Sequence, residues 1–363
     1  MSSQPIKIGI IGTGIFAHRH YRAYQAIGND KFQLVACANR SKDKALAFAK
    51  EVSNDMYETY KITDTKKVGI EESSVYSNSI NLINDPNIDA VDVLLPVQLN
   101  REIIEAAVAA NKHIMFEKPI AASLEDARKI VLLSQKAKTV VAVNENWSYH
   151  PLVYAVSEFV NQNGIGEIIN FTYDSARPYS PNSPYHATKW RQNPEHPGGY
   201  LSDGCVHDMA HLVPILGNFA YVAAFATKRH AIHVCEDTLA TSIKLENGGV
   251  GVANFTFSTA GIKKMSLVVH GTKGTIELTD DSDVKLFNEL GESVDISPIT
   301  SLKAKAPGNG VADVEGELSA FYDAVRFGKK LGVSTEEAFH HLAFIVAALK
   351  SVETGQIVKI EQV

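Results

Sequence analysis

The chain begins with a short apolar strand that runs into a glycine turn and then into a helix, and this arrangement constrains the fold most strongly. Residues 6–12 read IKIGIIG, a continuous isoleucine-rich run of strand length. Such a run is typical of a strand that is buried on both faces of a sheet. Residues 15–27 then carry apolar side chains at helical spacing. Because a strand buried on both faces needs helices above and below it, the pattern favours an α/β fold.

The same alternation of strand and helix continues through the first 146 residues. Short apolar segments of strand length are separated by longer segments with helical spacing. The strand patterns cover residues 32–39, 90–96, 113–117 and 139–147, and the helical patterns cover residues 41–52, 100–111 and 123–137. Regular alternation of this kind predicts a doubly wound parallel sheet, the Rossmann fold, over residues 1–146.

The pattern changes in residues 147–363. Several alternating strand patterns follow one another between residues 221 and 286, and ENGG at 246–249 and GTKG at 271–274 are typical hairpin turns. Helical patterns cover residues 205–217, 316–328 and 335–352. We therefore predict that residues 147–363 form a C-terminal α+β domain built on an open, mostly antiparallel sheet.

Composition and charge exclude several classes of function. The 363 residues carry a formal net charge of −6, with acidic and basic residues interspersed, so the chain has no basic stripe for nucleic acid or an anionic membrane. No apolar stretch approaches the length of a transmembrane span, and the N-terminus lacks the pattern of a secretion signal. The three cysteines, Cys37, Cys205 and Cys235, lack metal-ligand spacing, which is typical of thiols in a reducing compartment. We expect a cytoplasmic protein with no nucleic-acid or membrane partner.

The glycine turn after the first strand has the spacing G-x-G-x-x-A. Gly12 permits a tight turn, Gly14 lets the backbone approach a pyrophosphate, and Ala17 leaves room for close packing of helix on strand. The helix that follows presents free N–H groups to an anion. We predict that these residues, together with Ile15 and Phe16, bind a dinucleotide. The alternative is a glycine turn without a ligand.

The end of the second predicted strand indicates which dinucleotide is preferred. An NAD site usually places Asp or Glu there, to bind the ribose hydroxyls. This chain instead has Asn39, Arg40 and Ser41, followed by two lysines. Arg40 can pair with a 2′-phosphate or stack on adenine, and Ser41 can add a hydrogen bond. NADP is the predicted cofactor, and an exposed helix start without a ligand is the alternative.

Four segments together resemble a known family. The glycine turn, IDAVDVLLP at 88–96, KHIMFEKPIA at 112–121 and GGYLSDGCVHD at 198–208 are similar, in order and spacing, to the glucose–fructose oxidoreductase/inositol dehydrogenase/MocA (Gfo/Idh/MocA) family. The similarity covers nearly the whole chain and is greatest to fungal NADP-dependent oxidoreductases. It implies a Rossmann domain, a C-terminal domain whose open sheet often forms the subunit interface of a homodimer or homotetramer, and an active site between the two domains.

The resemblance also assigns roles to individual residues. Lys118 of Glu-Lys-Pro matches the catalytic lysine of the family, and Asp203 and His207 match its Asp-x-x-x-His pair. Pro96 matches the proline that lines the nicotinamide pocket. The chain departs from the family pattern at Val97-Gln98, where Asn and then a nearby His are usual, and at Gly204-Cys205, where the glycine comes one residue early.

The chemistry of these residues suits a nicotinamide-dependent dehydrogenase. An ammonium group at Lys118 can bind the substrate oxygen and stabilise a developing alkoxide, and Glu117 can orient Lys118 or contact the cofactor. His207 can move the hydroxyl proton near neutral pH, and Asp203, four residues earlier, lies on the same helical face. The alternative for Glu117 and Lys118 is a surface charge pair. The sequence does not decide whether Lys118 or His207 transfers the proton.

Other polar and aromatic residues are candidates for substrate binding. In sugar-using relatives a Trp-Arg pair faces the substrate, which implies this role for Trp190 and Arg191. Asn144 and Trp147 follow the last strand of the Rossmann pattern and are weaker candidates. His207 and His211 read H-D-M-A-H, without the glutamate of a zincin pair, so we predict no metal site and a structural role for His211.

The predicted function follows from these residues taken together. We expect an NADP-dependent oxidoreductase that transfers a hydride between nicotinamide and the CH–OH or carbonyl carbon of a sugar, polyol or small carbonyl compound. The alternative is a non-catalytic NAD(P)-binding regulator of the same fold. Such a regulator would keep the glycine turn and lose the catalytic groups, whereas this chain retains Lys118, Asp203 and His207.

Overall fold

The computed structural model describes residues 4–60, 69–178, 192–230 and 234–363. Its first part is a six-stranded sheet with the strand order β3-β2-β1-β4-β5-β6, in which every paired strand is parallel. This confirms the predicted doubly wound Rossmann sheet. The elements of this part are β1 Ile6–Ile11, α1 Ile15–Ile27, β2 Phe32–Ala38, α2 Lys42–Tyr60, β3 Val75–Tyr76, α3 Ser79–Ile83, β4 Ala90–Val93, α4 Asn100–Ala109, β5 His113–Glu117, α5 Leu124–Lys136 and β6 Val141–Asn144.

Strands of this sheet are buried on both faces. Every residue of the central strand β4 and every residue of the edge strand β6 is buried, as a strand covered by helices on both sides requires. Helix starts follow local signals in the sequence: the side chain of Ser123 accepts a hydrogen bond from the backbone N–H of Asp126 and caps α5. The two-residue strand β3 was not predicted, because it is too short to carry a periodic pattern.

The second part of the chain forms a nine-stranded sheet with the order β14-β13-β12-β11-β7-β10-β9-β8-β15. Only the β7–β10 pair is parallel among the pairings of the described residues, so the predicted open, mostly antiparallel sheet is confirmed. Its elements are α6 Pro151–Asn161, β7 Ile168–Pro178, α7 Tyr200–Leu216, β8 Phe219–Thr227, β9 Thr238–Leu245, β10 Val250–Thr259, β11 Lys264–Gly271, β12 Gly274–Thr279, β13 Asp283–Asn288, β14 Ser293–Val294, α8 Ser297–Thr300, α9 Asp313–Phe327, α10 Thr335–Thr354 and β15 Val358–Lys359.

Helix α7 begins five residues earlier than the sequence pattern predicted. Gly198 and Gly199, both with positive φ, end the preceding loop, and the helix starts directly after them at Tyr200. The apolar pattern alone pointed to residue 205, because the first turn carries small and polar residues. Asp203 and His207 therefore both lie on α7, four residues apart, as predicted.

Helix α9 connects the C-terminal part of the chain to the Rossmann sheet. Its apolar residues Val314, Leu318 and Phe321 are buried in the same cluster as residues of β1 and α1, and the helix packs against α1. Helix α10 packs against α5, α7 and β8.

None of the helices within the described ranges is long and apolar enough to cross a membrane.

Two histidines of α10, His340 and His341, are buried, and we predict that their burial makes the fold sensitive to acid. Burial lowers the pKa of His340 to about 4 and the pKa of His341 to about 3, the latter in spite of the opposing charge of Glu145. Below about pH 6.5 the unfolded chain binds protons that the folded chain does not, so stability falls as the pH falls. Between pH 7 and pH 5, each histidine is expected to lower the free energy of unfolding by roughly 2 kcal/mol.

Urea unfolding of wild type and His341→Leu at both pH values measures this effect. The loss of unfolding free energy on acidification should be smaller in the variant by about 2 kcal/mol. His270→Ala, which removes an exposed histidine of β11, should show the wild-type loss. Equal losses in all three proteins would show that His341 is not held neutral in the folded chain.

Candidate active site

A cavity of about 510 Å³ lies between the two sheets at the carboxyl ends of β1, β4 and β5. Ligands of open parallel sheets bind at this edge. Residues from the glycine turn, from the segments after β4 and β5, and from α7 and β10 meet here. The lining residues are Gly14, Ile15, Phe16, Ala17, Leu94, Leu95, Pro96, Val97, Glu117, Lys118, Asn146, Trp147, Arg177, Tyr200, Asp203, Gly204, His207 and Phe257. Ten of the residues that the sequence predicted as site residues are among them.

The two glycines of the turn have different surroundings. Gly12 has φ +98°, and a Cβ there would clash with the carbonyl oxygen of Leu94, so only glycine fits. A Cβ at Gly14 would meet no atom within 4 Å. The open space lies at the N-terminus of α1, where unsatisfied backbone N–H groups favour an anion. This geometry fits the pyrophosphate of a dinucleotide.

The residues predicted to bind the adenosine part of the cofactor, Asn39, Arg40 and Ser41, lie at the end of β2. They do not line this cavity. The side-chain amide of Asn39 donates to the Thr13 hydroxyl at 2.9 Å, and its oxygen accepts from the backbone N–H of Ser41 at 3.0 Å. Asn39 therefore ties the glycine turn to the end of β2. Arg40 and Ser41 are exposed, and Arg40 has no ion pair with any residue in the described ranges.

Lys118 is held as an ammonium group by Asp203. Its Nζ donates to the Asp203 carboxylate at 2.7 Å and to the Asp203 backbone carbonyl at 2.8 Å. Both side chains are largely buried, with 12% and 9% of their side-chain surfaces exposed. An ammonium group has three donors, so these two bonds leave one N–H of Lys118 for the cavity that it lines.

His207 is held by a buried carboxylate that the sequence reasoning missed. Glu145 lies directly after β6, and its Oε1 accepts from His207 Nδ1 at 2.6 Å and from the backbone N–H of Trp147 at 3.1 Å. Burial alone raises the pKa of Glu145, but His207 and Lys118 hold it below its usual range, so the carboxyl group is ionised. Because an ionised carboxylate only accepts hydrogen bonds, His207 Nδ1 carries the proton and Nε2 is the ring nitrogen available to the cavity.

An aromatic and cationic wall borders the cavity on the C-terminal side. The Trp147 ring stacks against His207, with ring centroids 5.1 Å apart. The guanidinium of Arg177 lies over the Trp147 ring at 4.7 Å and over the Phe257 ring at 4.9 Å, and it is anchored by Asp208 at 2.6 Å. Planar rings beside a fixed guanidinium group provide apolar contact and hydrogen-bond donors for a small polar molecule.

A buried histidine of α1, His20, lies between the carboxylates of Glu117 and Asp92. His20 Nε2 lies 3.5 Å from Glu117 Oε1, and His20 Nδ1 lies 2.7 Å from Asp92 Oδ2. Burial lowers the pKa of His20, but Asp92 and Glu117 together raise it well above its usual value. His20 is therefore an imidazolium between two carboxylates. It links α1 to the end of β5, which Lys118 directly follows.

Of the predicted substrate residues in the described ranges, Trp147 lines the cavity and Asn144 does not. The side chain of Asn144 is buried and donates to Asp92 at 3.3 Å, while Asn146, two residues later, lines the cavity. Trp190 and Arg191 lie outside the described residues. Sequence reasoning missed Glu145 and eight residues that line the cavity, although polar or aromatic residues after a buried strand are a usable signal for Asn146. The eight are Leu94, Leu95, Val97, Asn146, Arg177, Tyr200, Gly204 and Phe257.

Fold and site together are those of a dinucleotide-binding oxidoreductase with a second, C-terminal domain. Residues 6–145 match the family model described as "Oxidoreductase family, NAD-binding Rossmann fold". Residues 157–360 match the model described as "Oxidoreductase family, C-terminal alpha/beta domain". The chain therefore belongs to the Gfo/Idh/MocA oxidoreductase family, which confirms the resemblance seen in the sequence.

Individual relatives cover most or all of the chain. An uncharacterized protein of Saccharomyces cerevisiae is 38% identical over 99% of this chain and 99% of its own length. The 1,5-anhydro-D-fructose reductase of Ensifer adhaerens is 28% identical over 77% of this chain and 82% of its own length. Among solved structures, levoglucosan dehydrogenase in complex with NADH has a TM-score of 0.81 at 22% identity and covers 99% of this chain and 100% of its own. The similarity to levoglucosan dehydrogenase is a similarity of fold.

Proposed function

We propose that the protein is an NADP-dependent oxidoreductase that interconverts a carbinol and a carbonyl group in a sugar, polyol or small carbonyl compound. One observation carries the proposal: an ammonium group at Lys118 and a carboxylate-held imidazole at His207 line the same cavity as the glycine turn. The relatives named as a reductase and a dehydrogenase of sugar derivatives support the substrate class. Residues 1–146 would bind the cofactor, and residues 147–363 would bind the substrate and support assembly.

The residues that line the cavity fit a nicotinamide dinucleotide. The backbone N–H groups after Gly14 would bind the pyrophosphate, and Ile15, Phe16 and Ala17 would pack beside it. Pro96 and Glu117 would border the nicotinamide, whose C4 atom supplies or accepts the hydride when the cofactor is bound.

Lys118 would bind the substrate oxygen. Its Nζ donates to the Asp203 carboxylate at 2.7 Å and to the Asp203 backbone carbonyl at 2.8 Å, so Asp203 occupies two of its three donors. Its remaining N–H can donate to the carbonyl or alkoxide oxygen, where negative charge develops in the transition state. Asp203 would thus position and charge-stabilise Lys118 on the substrate side of the cavity.

His207 would transfer the proton. In the direction of oxidation its Nε2 accepts the hydroxyl proton, and in the direction of reduction it returns the proton to the oxygen. Glu145 fixes the ring through Nδ1 and stabilises the imidazolium that forms, which is the role of the carboxylate in other carboxylate–histidine pairs. This arrangement favours His207 over Lys118, the choice that the sequence left open.

The substrate would lie against the wall formed by Trp147 and Arg177. Asn146 and Tyr200 also line this side and can bind hydroxyl groups, so Asn146 takes the place that the sequence assigned to Asn144. Trp190 and Arg191 remain predicted substrate contacts. Because the cavity of about 510 Å³ must hold both the nicotinamide and the substrate, we propose a substrate of roughly monosaccharide size.

Assembly is proposed through the open face of the second sheet. Tyr221 and Phe225 on β8, and Val250 and Val252 on β10, are exposed apolar side chains on neighbouring parts of this face. Exposed apolar patches of this kind are typical of protein–protein interfaces. We propose a cytoplasmic homodimer or homotetramer.

Cofactor preference can be tested at Arg40. Arg40→Ala is expected to weaken NADP binding by about 10-fold to 100-fold, because a charge-assisted hydrogen bond to phosphate contributes about 1.5–3 kcal/mol. Binding of NAD should change little. Calorimetric titration of both cofactors measures the effect, with Lys50→Ala, an exposed lysine of α2, as the matched control. Equal affinity of the wild type for NAD and NADP, or an unchanged NADP affinity in Arg40→Ala, would contradict the assignment.

The reaction itself can be tested with a substrate panel. Polyols and sugars with NADP, and aldoses, ketoses and anhydro sugars with NADPH, are followed by the absorbance of NADPH. We expect turnover with at least one compound of monosaccharide size. Tight NADPH binding without turnover of any compound would favour a regulator over an enzyme.

A further inference from the structure

Three side chains that the proposed mechanism does not use meet behind Trp147. His150 follows the short helical turn at residues 146–149, His211 lies on α7, and Asp281 lies in the turn between β12 and β13. His211 Nδ1 is 3.1 Å from Asp281 Oδ1, and His150 Nδ1 is 3.8 Å from Asp281 Oδ2. The three side chains can each offer one ligand atom within 4.8 Å of the others.

The hydrogen bond on the other side of the His211 ring fixes its protonation pattern. His211 Nε2 lies 3.1 Å from the backbone carbonyl oxygen of Trp147, and a carbonyl oxygen only accepts. Nε2 therefore carries a proton, and in the neutral ring Nδ1 presents its lone pair to Asp281. Neither His211 Nδ1 nor Asp281 Oδ1 has a partner with hydrogen-bond geometry within the described residues, although both atoms are buried. Two electron-rich atoms this close need a positive charge between them, which is either a proton on His211 Nδ1 or a metal ion.

The three side chains are of the types that bind zinc, since imidazole nitrogens and a carboxylate oxygen are common zinc ligands.

We propose that His150, His211 and Asp281 bind one Zn²⁺ ion. Zinc bonds of about 2.0–2.2 Å in tetrahedral geometry place ligand atoms about 3.4 Å apart. The distance from His211 Nδ1 to Asp281 Oδ1 is 3.1 Å, and one ligand atom from each of the three side chains lies within 4.8 Å of the others. The Trp147 carbonyl supplies the acceptor that a zinc-bound histidine normally has on its second nitrogen.

The ion would be structural. None of the three ligands lines the active-site cavity, but the His211 ring stacks against Trp147 with centroids 4.8 Å apart. Zinc would tie the Trp147 segment, α7 and the β12–β13 turn together behind the substrate wall. Lys263, which lies near Asp281 and over the Trp147 ring at 5.7 Å, is the cation that would compete for this carboxylate.

The test uses the untagged, chelator-treated full chain titrated with Zn²⁺ alone. Calorimetry should give one site per chain with a Kd in the micromolar range or below, and saturating zinc should raise the Tm by about 2–4 °C or more. His150→Ala and Asp281→Asn should lose both effects. His270→Ala, which removes an exposed histidine on β11, should keep both.

Two results would overturn the proposal. One is wild-type protein that neither binds zinc nor gains thermal stability, which would leave a protonated His211 as the partner of Asp281. The other is zinc binding that persists unchanged in His150→Ala and Asp281→Asn, because the ion would then lie elsewhere. Since neither readout depends on turnover, the result is independent of the proposed reaction.

Discussion

Lys118→Met is expected to lower kcat by at least about 10²–10³-fold, because it removes the hydrogen-bond donor to the oxygen that becomes negative in the transition state. Methionine keeps most of the length and the apolar stem of the side chain, so the cavity should keep its shape. The variant also removes the ammonium group that lies 2.7 Å from the Asp203 carboxylate, and breaking a buried ion pair on one side lowers stability. The affinity for NADPH separates these effects, because it should stay within a few-fold of wild type.

The double variant Lys118→Met/Asp203→Asn provides the control for this substitution. It also removes the buried negative charge of Asp203 and should recover stability without recovering turnover. Steady-state kinetics with the best substrate of the panel, together with thermal melting, measures both quantities. Full-rate turnover by Lys118→Met would exclude the proposed role of Glu-Lys-Pro.

His207→Asn is expected to lower kcat by about 10²–10⁴-fold, the usual contribution of a general acid–base group. In wild type the rate of oxidation should fall on the acid side as His207 becomes protonated, and this limb of the pH profile should disappear in His207→Asn. If the acid limb persists unchanged in His207→Asn, another group transfers the proton.

Glu145→Gln distinguishes a positioning role from a purely structural one. Glutamine keeps the size of the side chain and can still accept from His207 Nδ1, but it removes the negative charge 2.6 Å from the ring. The imidazolium form of His207 is then less stabilised, so the acid limb of the oxidation profile should move to lower pH and kcat should fall. A loss of stability with an unchanged pH profile would show that Glu145 only supports the fold.

Much of the fold could be predicted because its signals are local and periodic. The apolar strands, the glycine turn and the hairpin turns each constrain the backbone without help from distant residues. The start of α7 was misplaced because two glycines, and not the apolar period, determine where it begins. The packing of α9 against α1 could not be read from the sequence, since it joins residues about 300 positions apart.

The residues of the candidate site could be predicted where they belong to a sequence motif. They could not be predicted where tertiary packing alone brings them together. Gly14, Lys118, Asp203 and His207 belong to recognisable spacings, and the fold brings them to one cavity. Glu145 has no motif, and its partnership with His207 depends on how β6 lies beside α7. His211 was considered as a metal ligand only with a neighbour on its own helix. The structure instead places it beside ligand atoms from two other segments.

The most direct test of hydride transfer uses NADPH carrying deuterium at C4 of the nicotinamide. Wild-type protein is incubated with the carbonyl compounds of the panel, and the products are examined by mass spectrometry and NMR. We predict NADP formation with deuterium on the new carbinol carbon of at least one sugar-sized product, and no label with Lys118→Met. Wild-type protein that binds the labelled NADPH yet transfers no deuterium to any compound would contradict the account.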